Sequence, residues 1–152
     1  MFRFFQTMIA CVPFVAVASS WLQPEPLSHY GNKATYSVNG QSYHVMKGIQ
    51  SFQQFGNASW YGHPFHGRKT SSMEIYDMNL LTAAHRTLPI PCYVKVTRLD
   101  NQKSVVVRVN DRGPFHSERI IDLSYAAAQK LDLVDVGVAR VRLNLLIAPK
   151  SA

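Results

Sequence analysis

The stretch VVVRVNDRGPF, residues 105–115, predicts a β-strand that ends in a sharp turn carrying charged side chains. Val105, Val107 and Val109 alternate with other residues, which is the period of a half-buried strand. Asp111 and Arg112 come next, and then a Gly-Pro pair in which glycine permits a sharp turn and proline fixes it. Two interpretations are open: a tight turn in which Asp111 pairs with Arg112, or a chemical site at the tip of a strand.

The rest of the chain supplies short elements of the same kind. Two alternating runs around an Asn-Gly pair in residues 36–45 predict a β-hairpin. Further predicted elements are a helical turn at 80–86, strands at 92–97, 104–109 and 139–145, and a helix at 125–131 capped by Ser124. Short strands with one or two short helices, and without βαβ spacing, indicate a mainly-β fold that closes into a barrel.

One long region shows no clean period. From Gly56 the sequence GNASWYGHPFHGRKTSSMEIYDMN is rich in glycine, aromatic and polar residues. A loop of this length inside a compact domain is usually functional. The sequence therefore directs attention to this loop and to the turn after residue 109.

Composition limits the broad class of the protein. A chain of 152 residues suits one globular domain. The formal net charge of +7 favours polyanionic partners such as nucleic acid, anionic lipid or an acidic cell-wall polymer. The basic residues are scattered, so no arm of the type that binds nucleic acid is present in the sequence, and we expect no nucleic-acid partner.

The N-terminal residues resemble an export signal. Arg3, an apolar tract and the small residues Ala16-Val17-Ala18 predict a signal peptide over residues 1–18, a linker over 19–34 and an exported protein of the periplasm or cell envelope. The alternative is lipidation of Cys11, which would make the protein an outer-membrane lipoprotein and bring it to a membrane. With Cys11 removed, Cys92 is the single cysteine, and its place in a strand predicts a small buried side chain rather than a catalytic one.

Five motifs resemble the rare lipoprotein A family, whose members are endolytic peptidoglycan transglycosylases of the bacterial envelope. The motifs are GNASWYG (56–62), FHGRKT (65–70), EIYDMNLLTAAHRTLP (74–89), VRVNDRGPF (107–115) and RIIDLSYAAA (119–128). The resemblance implies a six-stranded double-psi β-barrel over residues 35–148, with an N-terminal hairpin at 35–46. Many members carry a further C-terminal module that binds glycan at the division septum. We expect this chain to be a member without it, and we expect a monomer.

The resemblance also implies a reaction. A lytic transglycosylase cleaves peptidoglycan glycan strands between MurNAc and GlcNAc and leaves 1,6-anhydromuramyl ends, because the muramyl C6 hydroxyl, and not water, attacks C1. A carboxyl with a raised pKa can protonate the leaving oxygen. The family's pattern points to Asp111 for this role and to Glu74, Asp77 and His85 as supporting catalytic residues around the same cleft. No cofactor is expected.

The aromatic and basic residues of the long loop are candidates for glycan binding. Trp60 and Tyr61 either belong to the core or stack on sugar faces. Arg68 and Arg112 either hold carboxylates of the glycan or are ordinary arginines. His63 and His66 lack a third ligand at a suitable spacing, so no metal site is expected. A rival hypothesis is an expansin-like module that binds polysaccharide without cleaving it, and a weaker one is a barrel that binds or inhibits other proteins.

Overall fold

The computed structural model describes residues 22–116 and 118–150, which form eight β-strands and one short α-helix. In chain order these are β1 (Thr35–Val38), β2 (Gln41–His44), β3 (Gln53–Tyr61), β4 (Thr82–His85), β5 (Cys92–Arg98), β6 (Ser104–Asp111), β7 (Arg119–Ser124), α1 (Tyr125–Lys130) and β8 (Ala139–Ile147). The predicted signal peptide of residues 1–18 lies outside the described residues.

Six of the strands close into a barrel. Around the barrel the strands follow one another in the order β3-β7-β4-β6-β5-β8. Two neighbouring pairs are parallel, β3 with β7 and β4 with β6, and the other pairs are antiparallel. This closed six-stranded barrel with a short helix confirms the predicted fold class.

The barrel is filled by the alternating apolar residues that the sequence pattern singled out. Val94, Val96, Val107, Val109 and Val141 are fully buried. Each fully buried aliphatic side chain contributes about 1.5–3 kcal/mol relative to an exposed one. Cys92 opens β5 in the same interior with 1% exposure, and burial raises the pKa of its thiol to about 12. This cysteine is therefore a small buried side chain, as predicted.

Two segments differ from the sequence-based expectation. Residues 80–86 were expected as a helical turn, but Thr82–His85 form β4, a fully buried strand that pairs with both β6 and β7. Small alanines fit this central position, and ladders on both sides outweigh helix propensity. Gly56–Tyr61, expected as loop, belong to β3, where a Cβ on Gly56 would lie 2.6 Å from Ile120 Cγ2. Gly56 is thus required by close packing inside a strand.

The β1–β2 hairpin lies outside the barrel. Its strands pair antiparallel, with Tyr36 opposite Tyr43, and Asn39 and Gly40 both have positive φ in the connecting turn. This is the turn that an Asn-Gly pair predicts, because asparagine and glycine tolerate the left-handed region. No helix within the described ranges is long and apolar enough to cross a membrane.

The segment before the hairpin is bound to the barrel wall. The Glu25 carboxylate accepts hydrogen bonds from the Arg108 guanidinium, the closest at 2.7 Å, and from the Tyr93 hydroxyl. The Asn32 side chain bonds both the amide and the carbonyl of Ile90. Over its described part, the predicted linker of residues 19–34 therefore lies as a strap along the barrel.

Ser124 joins β7 to α1, and its removal gives a first stability test. Its Oγ accepts a hydrogen bond from Ala127 N at 3.2 Å, as an N-cap does, and another from Thr82 N at 3.3 Å. We expect Ser124→Ala to lower the free energy of unfolding by about 1–2 kcal/mol, the upper range for loss of a cap. Urea unfolding measures it. The exposed Ser51 is the matched control, and an equal effect of Ser51→Ala would contradict the capping role.

Candidate active site

An open groove with a volume of about 710 Å³ lies where β3 and β6 end. Its size falls within the range of about 300–1,000 Å³ that is typical of ligand sites. The groove is lined by Trp60, Tyr61, Gly62, His63, Pro64, Phe65, Ala84, Asp111, Arg112, Gly113, Pro114, Phe115, His116, Arg119 and Asp122. It thus combines an aromatic wall, a basic end and two carboxyl groups.

The two carboxyl groups stand in register on either side of one small residue. Ala84 of β4 pairs with Asp111 of β6 on one side and with Asp122 of β7 on the other. Neighbouring strands lie about 4.8 Å apart, so the two aspartate backbones are roughly 9.6 Å apart across the groove floor. Because residue 84 is an alanine, the floor between the two carboxyls stays open.

Asp111 is held firmly by one of its two oxygens. Its Oδ1 accepts hydrogen bonds from the amide and the hydroxyl of Ser71, both at 2.9 Å, and from the Arg112 amide at 2.8 Å. The arrangement fixes the side chain and leaves Oδ2 toward Tyr61, whose hydroxyl is 3.5 Å away.

Tyr61 is a rigid aromatic wall beside Asp111. Its ring stacks on the Tyr76 ring with centroids 4.3 Å apart, and the Tyr76 hydroxyl donates to the Tyr61 carbonyl at 2.6 Å. Burial, followed by the negative charge of Asp111, raises the pKa of Tyr61 far above its usual value. The phenol therefore stays neutral, and it can donate a hydrogen bond but not act as a base.

Asp122 is the groove carboxyl that the sequence-based reasoning did not select. Burial raises its pKa, and the positive charges of Arg119, His116 and Arg86 oppose this in part, while the charge of Asp111 adds to it. Arg119 Nη2 donates to Asp122 Oδ2 at 3.3 Å. Its buried Oδ1 has no hydrogen-bond partner among the described residues. The sequence signal that could have found it is a lone acid among the apolar residues of RIIDLS.

Glu74 and Asp77 do not line this groove. Glu74 Oε2 accepts hydrogen bonds from Arg108 Nη1 at 2.8 Å and from Asn110 Nδ2 at 2.9 Å. Burial raises the pKa of Glu74, but the bonds from Arg108 and Asn110 outweigh it and lower the pKa overall. Both acids line a separate surface depression of about 440 Å³. The sequence placed them around the same cleft as Asp111, whereas the fold places them in this separate depression.

His85 is an interior residue. It is 2% exposed, its Nε2 lies 2.8 Å from Gln54 Oε1, and its Nδ1 accepts hydrogen bonds from the amides of Thr87 and Leu88. Burial lowers its pKa to about 3, with the positive charges of two arginines acting in the same direction. The imidazole is therefore neutral and outside the groove, although it orders the turn after β4.

Arg112 and Trp60 line the groove while part of each side chain is used in packing. The Arg112 guanidinium donates to the carbonyls of Gly31, His85 and Leu88, so it ties the strap to the barrel. Trp60 Nε1 donates to Val134 O at 3.2 Å, and its ring packs against Tyr125.

The remaining predicted binding residues lie in the loop after β3. The Arg68 guanidinium sits 5.9 Å from the centre of the Phe65 ring, next to the groove. His66 Nδ1 accepts from the Met78 amide, and the His63 and His66 rings are 6.5 Å apart. Among the described residues no three His, Cys, Asp or Glu side chains form a cluster that could hold a metal ion.

Gly113 turns the chain at the lip of the groove. Its φ of +124° is one that side-chain-bearing residues rarely adopt, and the next residues, Pro114 and Phe115, return along the opposite wall. The Gly-Pro pair of the opening motif therefore aims the chain after Asp111 away from the groove floor.

The chain matches a family model and curated relatives over most of its length. A model described as lytic transglycolase matches residues 53–143. The endolytic peptidoglycan transglycosylase RlpA of Vibrio cholerae is 59% identical over 128 residues, which are 84% of this chain and 48% of that protein. The protein of the same name from Neisseria meningitidis serogroup A is 54% identical over 137 residues, 90% of this chain and 57% of that one. The chain thus spans about half the length of the curated relatives it matches.

Solved structures share the barrel. The expansin of Clavibacter michiganensis superposes with a TM-score of 0.51 at 17% identity, covering 66% of this chain and 53% of that chain. A single-residue variant of this expansin, solved in complex with cellohexaose, gives a TM-score of 0.52 at 16% identity, covering 66% of this chain and 54% of that one. At this level of identity the likeness concerns the fold alone.

Proposed function

Because this chain belongs to the lytic transglycolase family, we propose that it cleaves peptidoglycan glycan strands between MurNAc and GlcNAc and leaves 1,6-anhydromuramyl ends. We further propose that it acts after export, in the cell envelope. The observation that carries the proposed reaction is the pair of carboxyls, Asp111 and Asp122, on either side of Ala84 in one aromatic-lined groove.

The two carboxyls suit opposite roles in proton transfer. A pair of ionisable groups whose environments differ is the usual arrangement of an acid and a base in one site. Burial raises the pKa of Asp122, which is the direction that favours a proton donor. Asp111 accepts three hydrogen bonds on Oδ1, which orient the carboxylate and leave Oδ2 free to accept a proton. This assigns the proton donation expected of Asp111 to Asp122 and makes Asp111 the base.

In the proposed reaction, water is not a reactant. Asp122 protonates the glycosidic oxygen as the bond from that oxygen to muramyl C1 breaks. The muramyl C6 hydroxyl forms a new bond to C1 and gives its proton to Asp111. Solvent afterwards returns the proton from Asp111 to Asp122. The neutral Tyr61 hydroxyl beside Asp111 Oδ2 can hold the C6 hydroxyl or the carboxylate in place.

Glu74, His85 and Asp77 are proposed as positioning residues. Glu74 binds Asn110, the neighbour of Asp111, and thereby fixes the end of β6. The backbone carbonyl of His85 accepts a hydrogen bond from the Arg112 guanidinium at 3.1 Å. Asp77 accepts from the Asn79 amide at 2.9 Å and orders the loop before β4. None of the three has to touch the sugar to affect turnover.

Trp60, Tyr61, Arg68 and Arg112 are proposed to bind the glycan. Tyr61 and Trp60 supply flat apolar walls with a polar edge, which suit the faces and hydroxyls of sugars. Arg68 presents its guanidinium over Phe65, next to the groove. Arg112 lines the groove and holds the strap with its side chain.

The decisive experiment is mass spectrometry of purified sacculi after incubation with the protein. The proposal requires 1,6-anhydromuramyl ends. Reducing ends alone would identify a hydrolase with a water nucleophile. Binding to sacculi without either product would favour the expansin-like rival.

Binding to sacculi is expected to weaken with salt. The formal net charge is +7, and +6 once Arg3 leaves with the signal peptide, whereas peptidoglycan carries carboxylates. Raising the ionic strength from about 0.01 M to about 1 M shortens the Debye length from about 30 Å to about 3 Å. We expect affinity in a co-sedimentation assay to fall about tenfold or more over this range. Affinity that is independent of salt would mean that stacking on Trp60 and Tyr61 dominates instead.

A further inference from the structure

The β1–β2 hairpin forms a second cleft that continues the groove. This hairpin cleft has a volume of about 330 Å³ and is lined by Gly31, Lys33, Tyr36, Val38, Ser71, Arg112 and Phe115. Two of its residues, Arg112 and Phe115, also line the main groove. A third, Ser71, is the residue that holds Asp111. The cleft therefore begins beside the catalytic carboxylate and runs away from it under the hairpin.

Tyr36 and Phe115 line the hairpin cleft, and the Tyr43 ring, which does not line it, packs against both of them. Tyr36 stacks on Tyr43 with centroids 5.3 Å apart, and Phe115 contacts Tyr43 at 5.6 Å and Tyr36 at 6.3 Å. The rings differ in what holds them. The Tyr36 hydroxyl donates to Arg86 O at 2.8 Å, which makes Tyr36 the anchor. The Tyr43 hydroxyl has no hydrogen-bond partner among the described residues, and Phe115 is 38% exposed.

The hairpin is fixed on the barrel. Backbone hydrogen bonds join Val45 to Ala34 and Met46 to Thr87 directly after β2. On the other side, the Arg112 guanidinium holds Gly31 O at 2.9 Å just before β1. A wall that is already ordered loses little conformational freedom on binding.

We propose that the hairpin cleft is an additional glycan subsite, which binds a sugar of the same strand beyond those that lie over Asp111 and Asp122. This inference rests on the proposed function. The aromatic rings of Tyr36 and Phe115 in the cleft lining suit the flat face of a sugar ring, and Tyr43 holds both rings in place from the hairpin. Lys33 adds a cation to the cleft that suits the lactyl carboxylate of a muramyl residue. The hairpin thereby makes the protein prefer long strands to short ones.

The test compares glycan oligomers of two lengths, one that fills the main groove only and one that extends by several sugars. We expect kcat/KM for the long oligomer to fall about three- to tenfold in Tyr43→Ser, with the short oligomer unchanged. Val38→Trp, which fills the cleft without removing an aromatic ring, should have the same selective effect. Phe55→Ser is the matched control, because Phe55 is an exposed aromatic residue on β3 that lines neither cleft.

Binding is measured separately in the Asp111→Asn background by calorimetry. There the long oligomer should bind more tightly than the short one, and Tyr43→Ser should remove the difference. Equal losses on both oligomers would overturn the proposal, because the hairpin would then only support Asp111. Unchanged values in both hairpin variants would also overturn it. If the wild type forms no anhydro product while length-dependent binding persists, the proposed reaction fails and the subsite stands.

Discussion

Asp111→Asn is expected to lower the formation of 1,6-anhydromuramyl ends by about 10²- to 10⁴-fold, the usual contribution of a general acid or base. The asparagine oxygen can still accept the hydrogen bonds that Ser71 and the Arg112 amide give to Oδ1. The change therefore removes the proton acceptor at Oδ2 and leaves the shape of the groove intact. Turnover of sacculi, followed by mass spectrometry, measures the loss.

Measuring the affinity for sacculi separates a catalytic role of Asp111 from a structural one. Affinity of Asp111→Asn for sacculi should stay within a few-fold of the wild type, because the aromatic walls are unchanged. Asp135→Asn is the control, since Asp135 is exposed and lies outside the groove. Wild-type rates in Asp111→Asn would refute a catalytic role for Asp111. A loss of binding equal to the loss of turnover would make it a sugar-holding residue.

Asp122→Asn is expected to cause a loss of the same size by a different route. The amide cannot protonate the leaving oxygen, so bond cleavage itself should slow by about 10²- to 10⁴-fold. In the wild type, a raised pKa keeps Asp122 protonated to higher pH than a free aspartate. Activity should therefore fall as pH rises through that pKa. The pH profile of kcat/KM measures it, and the residual activity of Asp122→Asn should lack this alkaline limb.

The Asp122→Asn variant should lose activity but gain stability relative to the wild type as pH increases. A native pKa above the unfolded value means that the folded state binds more protons, so the contribution of Asp122 to stability declines as pH rises from about 4 through the native pKa. Asparagine has no such decline, so the variant should gain stability relative to the wild type as pH increases. Urea unfolding at several pH values tests this.

An alkaline limb in the pH profile of kcat/KM that persists in Asp122→Asn but disappears in Asp111→Asn would return the acid role to Asp111.

Three of the six barrel strands, β5, β6 and β8, could be predicted because their signal is local. Val105, Val107 and Val109 alternate with a period of two, and the same pattern marks β5 and β8. The Asn-Gly turn and the Ser124 cap likewise depend on residues that are neighbours in the chain. Local patterns failed where a strand is buried on both faces. β4 has no alternation to read, because all four of its residues are buried.

In the candidate site, too, a residue could be predicted only where its signal is local. Asp111 was recognised because its motif is contiguous, from the valines of β6 to the Gly-Pro turn. Glu74, Asp77 and His85 were grouped with it by family resemblance, although none of the three lines the groove. Asp122 has only a weak local signal, a lone acid in an apolar run, and its place beside Asp111 depends on the pairing of β4 with β6 and β7.

The sequence by itself determined the barrel strands β5, β6 and β8, the hairpin, the helix cap and the family, since each is carried by a short run of residues. Only the tertiary structure decided which carboxyls share a groove. Asp111 and Asp122 come together because β4 inserts between β6 and β7 with Ala84 in register with both. The β1–β2 hairpin contacts Phe115 for a similar reason, because the strap that precedes the hairpin is bound to the barrel wall. Register across a closed barrel is set by all its strands at once, so no local pattern of residues encodes it.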